Sequence, residues 1–342
     1  MMSKRVGIRD VAAAAGVSLT TVSHALSGGG QLSDSTRERV RSVAEGLNYT
    51  PNRLASGLRS KRSRIIGFVS DEITTTPYAG KVLLGAQEAA AEHDQVLMIV
   101  NTNSNARLEN RGIDALLQHS VDGIIYARMY HQSVDLPEAL RGVPTVLLDA
   151  YSNRPDVSSV VPDEEGAARS AMEHLIAAGH RRIGYLGNSD DIPATHGRMA
   201  GYRAVLAEYG IPFDESLVAT SNPTAGPARE AAIRLLAGPN RPTAIFCFND
   251  RMAMGAYQAA QLAGLTIPDD LSIVSIDNFE LVIEALLPGL TSIELPHYEM
   301  GRWAIERLAI ELAGDADGGT APQQVRMHCP LISRQSVGPP PH

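Results

Sequence analysis

The chain has few of the residues that mark several common classes of protein. Its two cysteines, Cys247 and Cys329, stand in apolar runs with no Cys or His at metal-ligand spacing. We therefore expect buried thiols rather than a disulfide or a zinc site. Long apolar runs are missing as well, which excludes a helix that spans a membrane. No apolar signal segment opens the chain, so we expect a cytoplasmic protein.

Motifs that would indicate an enzyme are equally scarce. Residues 184–187 form a glycine-containing turn after a predicted strand, but the spacing of a dinucleotide fingerprint or a phosphate loop is lacking. The sequence shows no catalytic dyad and no cluster of metal-ligating residues. We therefore predict that the protein is not an enzyme and uses neither a cofactor nor a metal ion.

Charge is unevenly distributed along the chain. The net charge of −8 combines a basic start with an acidic remainder. Residues 1–64 hold 11 Lys and Arg against 4 Asp and Glu, whereas the remaining residues hold 19 against 34. We call residues 1–64 the head. A basic head followed by an acidic remainder indicates that the head binds nucleic acid, and that salt weakens this binding steeply.

A helix–turn–helix pattern occupies the start of the basic head. Alanine-rich residues 10–15 favour a helix, Gly16 can end it, and Ser18 can cap a second helix over residues 19–26. Packing the apolar positions of the two helices together leaves an outer face made of Leu19, Thr20, Thr21, Ser23 and His24. This face is nearly uncharged, as expected of a helix that enters a DNA major groove, although an ordinary alanine-rich hairpin has the same spacing.

The following residues separate these two alternatives. Ser33 can cap a third helix over residues 34–45. The ordered motifs of the head are Asp10-Val-Ala, Ala15-Gly-Val-Ser, Thr21-Val-Ser, Thr36-Arg-x-Arg-Val and Asn48-Tyr-x-Pro-Asn-Arg. By these motifs the chain resembles the lactose-repressor/galactose-repressor family of bacterial transcription regulators. The resemblance extends from about residue 8 to about residue 336.

The resemblance implies three parts. Residues 1–50 form the DNA-binding domain, residues 51–64 a hinge helix and linker, and residues 65–338 the domain that binds an effector and dimerises. Family members insert a leucine of the hinge helix into the minor groove, and Leu58 occupies that position. Matched residue by residue, the expected DNA contacts are Ser18, Leu19, Thr20, Thr21, Ser23, His24, Asn52, Ala55 and Leu58.

Beyond the head, apolar strands alternate with amphipathic helices, which predicts parallel sheets covered on both faces. So many strand–helix units indicate two α/β lobes. The resemblance implies a periplasmic-binding-protein-like domain whose chain crosses between lobes near Gly179, Ser292 and Gln323. The first lobe is then about 65–178 with 292–323, and the second about 179–291 with 324–338.

Ligands of open α/β sheets bind beyond the carboxyl ends of the strands, where the sequence places Asp71, Asn249 and Asp277. The resemblance adds Arg198 and Glu165 as effector contacts, and Tyr78 offers an aromatic wall. Carboxylates, an amide and a guanidinium suit a ligand with several hydroxyls. Each could instead cap a helix or form an ion pair between lobes. A sugar, a purine and a sugar phosphate all remain possible effectors.

The resemblance implies a repressor of a carbohydrate uptake or catabolism operon, which binds a palindromic operator and a sugar-like effector. The tail has no leucine heptads and ends in consecutive prolines, so we expect a homodimer without a tetramerising helix. A solute-binding protein of a transporter shares the two-lobed fold, but it would have a signal peptide and no basic head. A sugar kinase would need the phosphate loop that is missing here.

Overall fold

A computed structural model divides the chain into two units, residues 1–64 and 65–342. It describes residues 6–27, 29–47, 49, 62–73, 79–314 and 321–341. The predicted contacts Asn52, Ala55 and Leu58 of the hinge, and Tyr78 of the cleft, lie outside these residues. In the described part of the chain, no helix is long and apolar enough to cross a membrane.

Among its described residues, the first unit contains three short helices around a small core. They are α1 (Ile8–Ala15), α2 (Leu19–Ser27) and α3 (Asp34–Gly46). Gly16 ends α1 in the left-handed conformation with φ 64°. The hydroxyl of Ser18 accepts a hydrogen bond from the Thr21 amide at 3.1 Å and so caps α2. The buried core is formed by Val11, Ala12, Ala15, Val22, Ala25, Val40 and Ala44.

The second unit begins with a parallel six-stranded sheet. Its strands are β1 (Ile65–Ser70), β2 (Val96–Asn101), β3 (Gly123–Ser133), β4 (Thr145–Tyr151), β5 (Ser158–Pro162) and β11 (Gln324–Met327). Their order across the sheet is β2-β1-β3-β4-β5-β11. Helices cover both faces: α4 (Ala79–Glu92) and α11 (His297–Gly314) pack together on one, and α5 (Ala106–Gln118) lies on the other. We call this sheet and its helices lobe 1.

Lobe 2 is built around a second six-stranded sheet of order β7-β6-β8-β9-β10-β12. The strands are β6 (Ile183–Asn188), β7 (Val218–Ser221), β8 (Ala244–Cys247), β9 (Ser272–Asp277), β10 (Thr291–Glu294) and β12 (Leu331–Ile332). All neighbours are parallel except β10 and β12. One face carries α6 (Glu164–Ala177) and α7 (Pro193–Glu208), and the other α8 (Ala225–Leu236) and α9 (Asp250–Leu262). A short helix, α10 (Glu280–Ile283), follows β9.

The positions at which the chain changes lobe differ from those expected. The first change comes between β5 and α6, at Asp163, and not near Gly179. Helix α6 buries Met172 and Leu175 in the core of lobe 2, so it belongs with the strand that follows it. The apolar face of a helix records that it packs on a sheet, but it does not record which sheet. The boundary predicted at residue 178 was therefore too late.

The later changes of lobe also move slightly along the chain. The second lies between β10 and α11, just after the predicted Ser292. The third lies between β11 and β12, and residues 324–327 therefore stay in lobe 1 rather than joining lobe 2. Strand β11 is a polar edge strand in which only alternate side chains are half-buried. An edge of this kind gives a weak sequence pattern because just one flank of the strand has a partner.

Helices α4 and α11 cross closely at two glycines. A Cβ on Gly85 would overlap the carbonyl oxygen of Tyr298, and a Cβ on Gly301 would overlap that of Val82. Both overlaps are with backbone atoms, which cannot rotate away as a flexible side chain can. The crossing therefore fixes the position of α11 in lobe 1, directly after the second change of lobe.

We predict that Gly85→Ala lowers the free energy of unfolding by about 1–3 kcal/mol, because the added methyl group overpacks this crossing. Urea unfolding followed by circular dichroism measures the change. Gly80→Ala is the matched control, since Gly80 lies in the same helix with open space around it. The control should leave stability unchanged or raise it by about 0.5–1 kcal/mol. Equal effects of the two substitutions would contradict the close crossing.

Candidate functional site

Helix α2 of the head presents the predicted DNA-reading face. Leu19 is 44% exposed, and Thr20 is exposed beside it. Thr21, Ser23 and His24 are half-buried, on the flank of the same helix. The hydroxyl of Thr21 lies 2.9 Å from that of Ser18, so Ser18 is engaged in the cap, whereas Leu19 and Thr20 are exposed.

An arginine that the sequence did not single out fixes the turn after α2. The guanidinium of Arg37 donates hydrogen bonds to the carbonyl oxygens of His24, Gly29 and Gly30, at 3.4, 3.4 and 2.9 Å. Gly30 has φ 69°, and a Cβ there would lie 2.5 Å from Nδ1 of His24. The imidazole therefore rests against a backbone that only glycine permits. The arginine of the Thr36-Arg motif was visible in the sequence, but its target carbonyls were not.

In the second unit, four polar residues lie at or just beyond the carboxyl ends of strands, two in each lobe. Asp71 follows β1 and Asp149 lies near the end of β4, both in lobe 1. Asn249 follows β8 and Asp277 ends β9, both in lobe 2. Each of the four is at most 8% exposed. Their burial shows that these ends are covered rather than open to bulk water.

Arg198 occupies the centre of the lobe 2 side. Its Nε donates to Oε2 of Glu164 at 2.7 Å, and its Nη1 donates to the Phe248 carbonyl. The guanidinium carbon lies 4.3 Å above the centre of the Phe248 ring. Burial opposes the charge of Arg198, but the carboxylates of Glu164 and Asp277 outweigh it, and the pKa of Arg198 rises above its ordinary value. Arg198 is therefore charged at every pH at which the protein is folded.

Glu165, which the resemblance gave as an effector contact, is not the acidic partner of Arg198. Glu165 is exposed on α6, whereas Glu164 is 6% exposed and forms the ion pair. Successive residues of a helix point about 100° apart, so a shift of one position turns a carboxylate from the cleft to the solvent. Glu164 therefore lies beside Arg198, and the expected contact of Glu165 with an effector stays a prediction. Both residues are acidic, so their chemistry could not separate them.

Asp149 was missed, although the rule that identified Asp71 and Asp277 applies to it as well. Its side chain is 5% exposed, and its Oδ1 accepts no hydrogen bond from the described residues. Burial, together with the charges of Glu164 and Asp71, raises the pKa of Asp149 well above its ordinary value. The involvement of Glu164 places the end of β4 in lobe 1 near the ion pair of lobe 2.

Asp71 has a structural task in addition to any contact with a ligand. Its Oδ1 accepts hydrogen bonds from the amides of Glu72 and Met129, at 3.0 and 3.1 Å. Arg128 lies 3.8 Å from Oδ2 of Asp71 and donates to Glu109 at 3.2 Å. Asp71 thus ties the end of β1 to the extension of β3. The sequence identified neither Arg128 nor this extension.

Asn249 likewise serves as a helix cap, one of the alternatives considered for it. Its Oδ1 accepts from the Met252 amide at 2.9 Å at the start of α9, and its Nδ2 donates to the Pro223 carbonyl at 3.3 Å. Asp277 has φ 126°, a backbone conformation that residues other than glycine rarely adopt. Its carboxylate lies close enough to Arg198 to raise the pKa of the guanidinium.

The buried polar residues at these strand ends and on α6 and α7 form a group that we call the cluster: Asp71, Asp149, Glu164, Arg198, Asn249 and Asp277. An aromatic pair lines its lobe 1 side. The ring centres of His131 and Tyr151 are 5.4 Å apart, in an edge-to-face arrangement. Nδ1 of His131 is buried and has no hydrogen-bond partner among the described residues. Burial lowers the pKa of His131, and the charge of Glu164 opposes this shift. Tyr126 of β3 is buried beneath the guanidinium of Arg128, whose carbon lies 4.4 Å from the centre of the ring.

Comparison with known proteins gives the same division of the chain. The family model described as "Bacterial regulatory proteins, lacI family" matches residues 7–52. The model described as "Periplasmic binding proteins and sugar binding domain of LacI family" matches residues 63–335. The HTH-type transcriptional regulator DegA of Bacillus subtilis (strain 168) is 34% identical over 338 residues, which cover 97% of this chain and 98% of DegA.

Two solved structures resemble the whole chain. The lac repressor dimer bound to operator and the anti-inducer ONPF has a TM-score of 0.80 at 26% identity, covering 98% of this chain and all of that one. The complex of the transcriptional regulator CelR with cellobiose has a TM-score of 0.68 at 29% identity, covering 97% of this chain and all of that one. The predicted fold, a helix–turn–helix head with a two-lobed α/β domain, is confirmed.

The family consists of transcription regulators rather than enzymes, and its regulators are cytoplasmic, as expected from the sequence. The two family models together account for the described head and for both lobes. This chain is a DNA-binding transcription regulator and belongs to the LacI family.

Proposed function

We propose that this regulator represses an operon for carbohydrate uptake or catabolism and responds to a small sugar-like effector bound between its lobes. The observation that carries the proposal is the buried set of hydrogen-bonding side chains at facing strand ends, with Asp149 from lobe 1 and Arg198 and Asp277 from lobe 2. Such a set suits hydroxyl groups, which donate and accept hydrogen bonds. The similar CelR structure is a complex with cellobiose.

For DNA we propose direct reading by α2. Thr20 and His24 touch base edges, Leu19 contacts an apolar group such as a thymine methyl, and Thr21 and Ser23 bind phosphates. Exposure supports base contacts from Leu19 and Thr20, which are exposed, and phosphate contacts from Thr21 and Ser23, which are half-buried; His24 is half-buried as well, so its base contact rests on its place in the family motif. Arg37 positions the end of α2 through its three carbonyl contacts. Contacts from Asn52, Ala55 and Leu58 remain predictions.

The homodimer that a palindromic operator requires is supported by the apolar edge of lobe 1. Strand β2 is the terminal strand of its sheet, and its Val96 and Ile99 are 50% and 47% exposed. Leu84 of the neighbouring helix α4 is 50% exposed. An exposed apolar edge strand tends to pair with, or be covered by, another protein segment, and a second copy of this chain would cover it. The similar lac repressor structure is a dimer on its operator.

Effector binding couples to DNA through the relative position of the lobes. The chain passes between them at three places, so closing the cleft changes how the first lobe of one copy meets that of the other. A ligand shifts this equilibrium only by its difference in affinity for the two arrangements. Residues of lobe 2 that reach a ligand also held by lobe 1 supply that difference, and Arg198 and Asp277 are those residues.

The first functional prediction concerns base reading. Thr20→Ala and His24→Ala should each weaken binding to an operator selected from random DNA by about 1–3 kcal/mol, and change binding to unselected DNA far less. Fluorescence anisotropy with the full-length protein measures both affinities. Ser42→Ala, at an exposed position of α3, should change neither. Equal losses on both DNAs would mean that the two side chains position the helix rather than read bases.

The second concerns signal transmission. Arg198→Ala and Asp277→Ala should bind the operator without effector and lose the effector's influence on that binding; Arg198→Ala should also be less stable, because it leaves Glu164 buried without its cation. Operator titrations with and without the sugar found in a ligand screen measure the coupling, about 5- to 150-fold in the wild type.

Arg203→Ala is the matched control for Arg198→Ala. Arg203 lies on the same helix, exposed, and its guanidinium stacks on Phe213 at 4.1 Å, outside the cluster. This variant should keep the full response. A wild-type response in Arg198→Ala or Asp277→Ala would remove that residue from the proposed site. Loss of operator binding without effector would instead make the residue structural.

A further inference from the structure

Asp250 is a buried carboxylate that the proposed effector site does not use. It lies fully buried in the first turn of α9, directly after the cap residue Asn249. An acidic residue at this position usually stabilises the N-terminus of its own helix. Among the described residues, however, every group that donates a hydrogen bond to the Asp250 side chain lies outside α9. Asp250 therefore has a role other than capping.

Three donors from lobe 2 converge on this carboxylate. Oδ1 of Asp250 accepts hydrogen bonds from the hydroxyls of Ser275 in β9 and Ser292 in β10, the latter at 2.6 Å. Its Oδ2 accepts from the backbone amide of Phe279 at 2.6 Å. Burial raises the pKa of Asp250, and these hydrogen bonds oppose the rise. The carboxylate thus joins two neighbouring strands to the turn at the end of β9.

That turn, residues 277–279, contains two successive residues with positive φ. Asp277 has φ 126° and Asn278 has φ 49°. Asparagine tolerates the left-handed region comparatively well, so the costlier conformation is that of Asp277. Such a conformation persists only where the surrounding structure enforces it. The charge of Asp277 acts on Arg198, so the turn sets the position of a carboxylate in the cluster.

The contacts that enforce the conformation begin directly after Asp277. The amide of Asn278 donates to Oγ of Ser292 at 3.1 Å, and the next amide, that of Phe279, donates to Asp250. The hydroxyl of Ser292 itself donates to Asp250. Both amides of the turn are therefore held by the same buried carboxylate, one directly and the other through Ser292.

Other contacts of the turn act on different groups. The guanidinium of Arg334 donates to Oδ1 of Asn278 at 2.8 Å, and so holds a side chain rather than the backbone. Asp277 is paired with Glu294 in the register of β9 and β10, which holds it as the last residue of its strand. The backbone beyond Asp277 is left to the acceptors of the two amides.

We propose that Asp250 is a positioning residue, which holds Asp277 in its strained conformation through the amides of Asn278 and Phe279 and so presents the Asp277 carboxylate to the cluster. The inference rests on the proposed effector site, in which Asp277 is a contact. Asp250 acts through Asp277 and not by direct contact with a ligand, because its carboxylate is engaged by the two serines and the turn.

Substitutions at position 277 measure the strain. Glycine adopts positive φ at no steric cost and alanine does not, whereas both lack the carboxylate that acts on Arg198. In a chain that keeps Asp250, Asp277→Gly should have an unfolding equilibrium constant about tenfold lower than Asp277→Ala, which corresponds to about 1.4 kcal/mol. Urea unfolding of the full-length protein, without DNA or effector and at one protein concentration, gives both constants.

Removal of Asp250 should abolish this preference for glycine. In Asp250→Ala the turn is free to relax to negative φ, where glycine is the less stable choice because it gives the unfolded chain more freedom. The ratio of the two unfolding constants at position 277 should then fall to one or reverse. If Asp250 only stabilised the lobe, its removal would weaken both variants of position 277 equally and leave the ratio unchanged.

Two serines provide a matched pair, which decides the matter even if Asp250→Ala does not fold. Ser275 and Ser292 are both fully buried, and both donate to Asp250. In the part of the chain that the structure describes, Ser292 alone of the two accepts an amide of the turn. Ser292→Ala should therefore narrow the ratio at position 277, and Ser275→Ala should leave it near its original value.

Three results would overturn the proposal: no preference for glycine over alanine in the chain that keeps Asp250, the same preference in chains that lack Asp250 or Ser292, or equal narrowing by the two serine variants. Because neither effector nor operator is present, these results judge the positioning role alone. A wild-type effector response of Asp277→Ala would count against the proposed effector site and leave the positioning of the turn standing.

Discussion

The arrangement of the cleft depends on the buried ion pair between Arg198 and Glu164. It joins the first turn of α6 to α7, and the second nitrogen of Arg198 extends the link to the carbonyl that ends β8. Removing either partner would leave a charge nearly without water, a cost of about 3–5 kcal/mol for pairs of this kind. Glu164 follows directly after the chain enters lobe 2, so the pair also fixes where that lobe begins. Arg198 therefore has a structural role in this ion pair in addition to its place in the proposed effector site.

Side chains at the other strand ends also have a structural role besides the proposed contact with an effector. Asn249 caps α9, and Asp71 fastens the extension of β3. A buried polar group must have partners, and backbone amides at strand and helix ends are the nearest ones available. Their presence leaves a ligand fewer free atoms on these residues. Oδ1 of Asp149 and Nδ1 of His131 differ, because the described residues offer them no partner.

In the head, too, polar side chains hold backbone groups in place. Ser18 caps α2, and the side chains of Leu19 and Thr20 next to it are exposed. Arg37 uses its guanidinium on the carbonyls of the turn after that helix, and Gly30 makes room for the imidazole of His24. A helix with so small a core of its own needs such fastening to present its side chains in one orientation.

Local patterns in the sequence determined the kinds of element and the family. Helix caps, strand ends and the polar face of α2 depend on neighbours a few residues away, and so Gly16, Ser18 and Ser33 were placed correctly. The motifs of the head led to the family, which the comparisons then established. Asp71, Asn249 and Asp277 could be placed at strand ends because parallel strands share one edge for their carboxyl ends, whereas Arg198 came from the resemblance to the family.

The tertiary structure alone decided how these elements meet. It assigned α6 to lobe 2, paired Arg198 with Glu164, and brought Asp149 into the cluster with His131 beside it. It also showed which carboxylates already hold the arginines. Each of these facts depends on contacts between residues far apart in the chain. Amphipathic periodicity shows that a face is buried, but every apolar sheet surface is an equally good partner for it, and only the packing of the whole domain selects one.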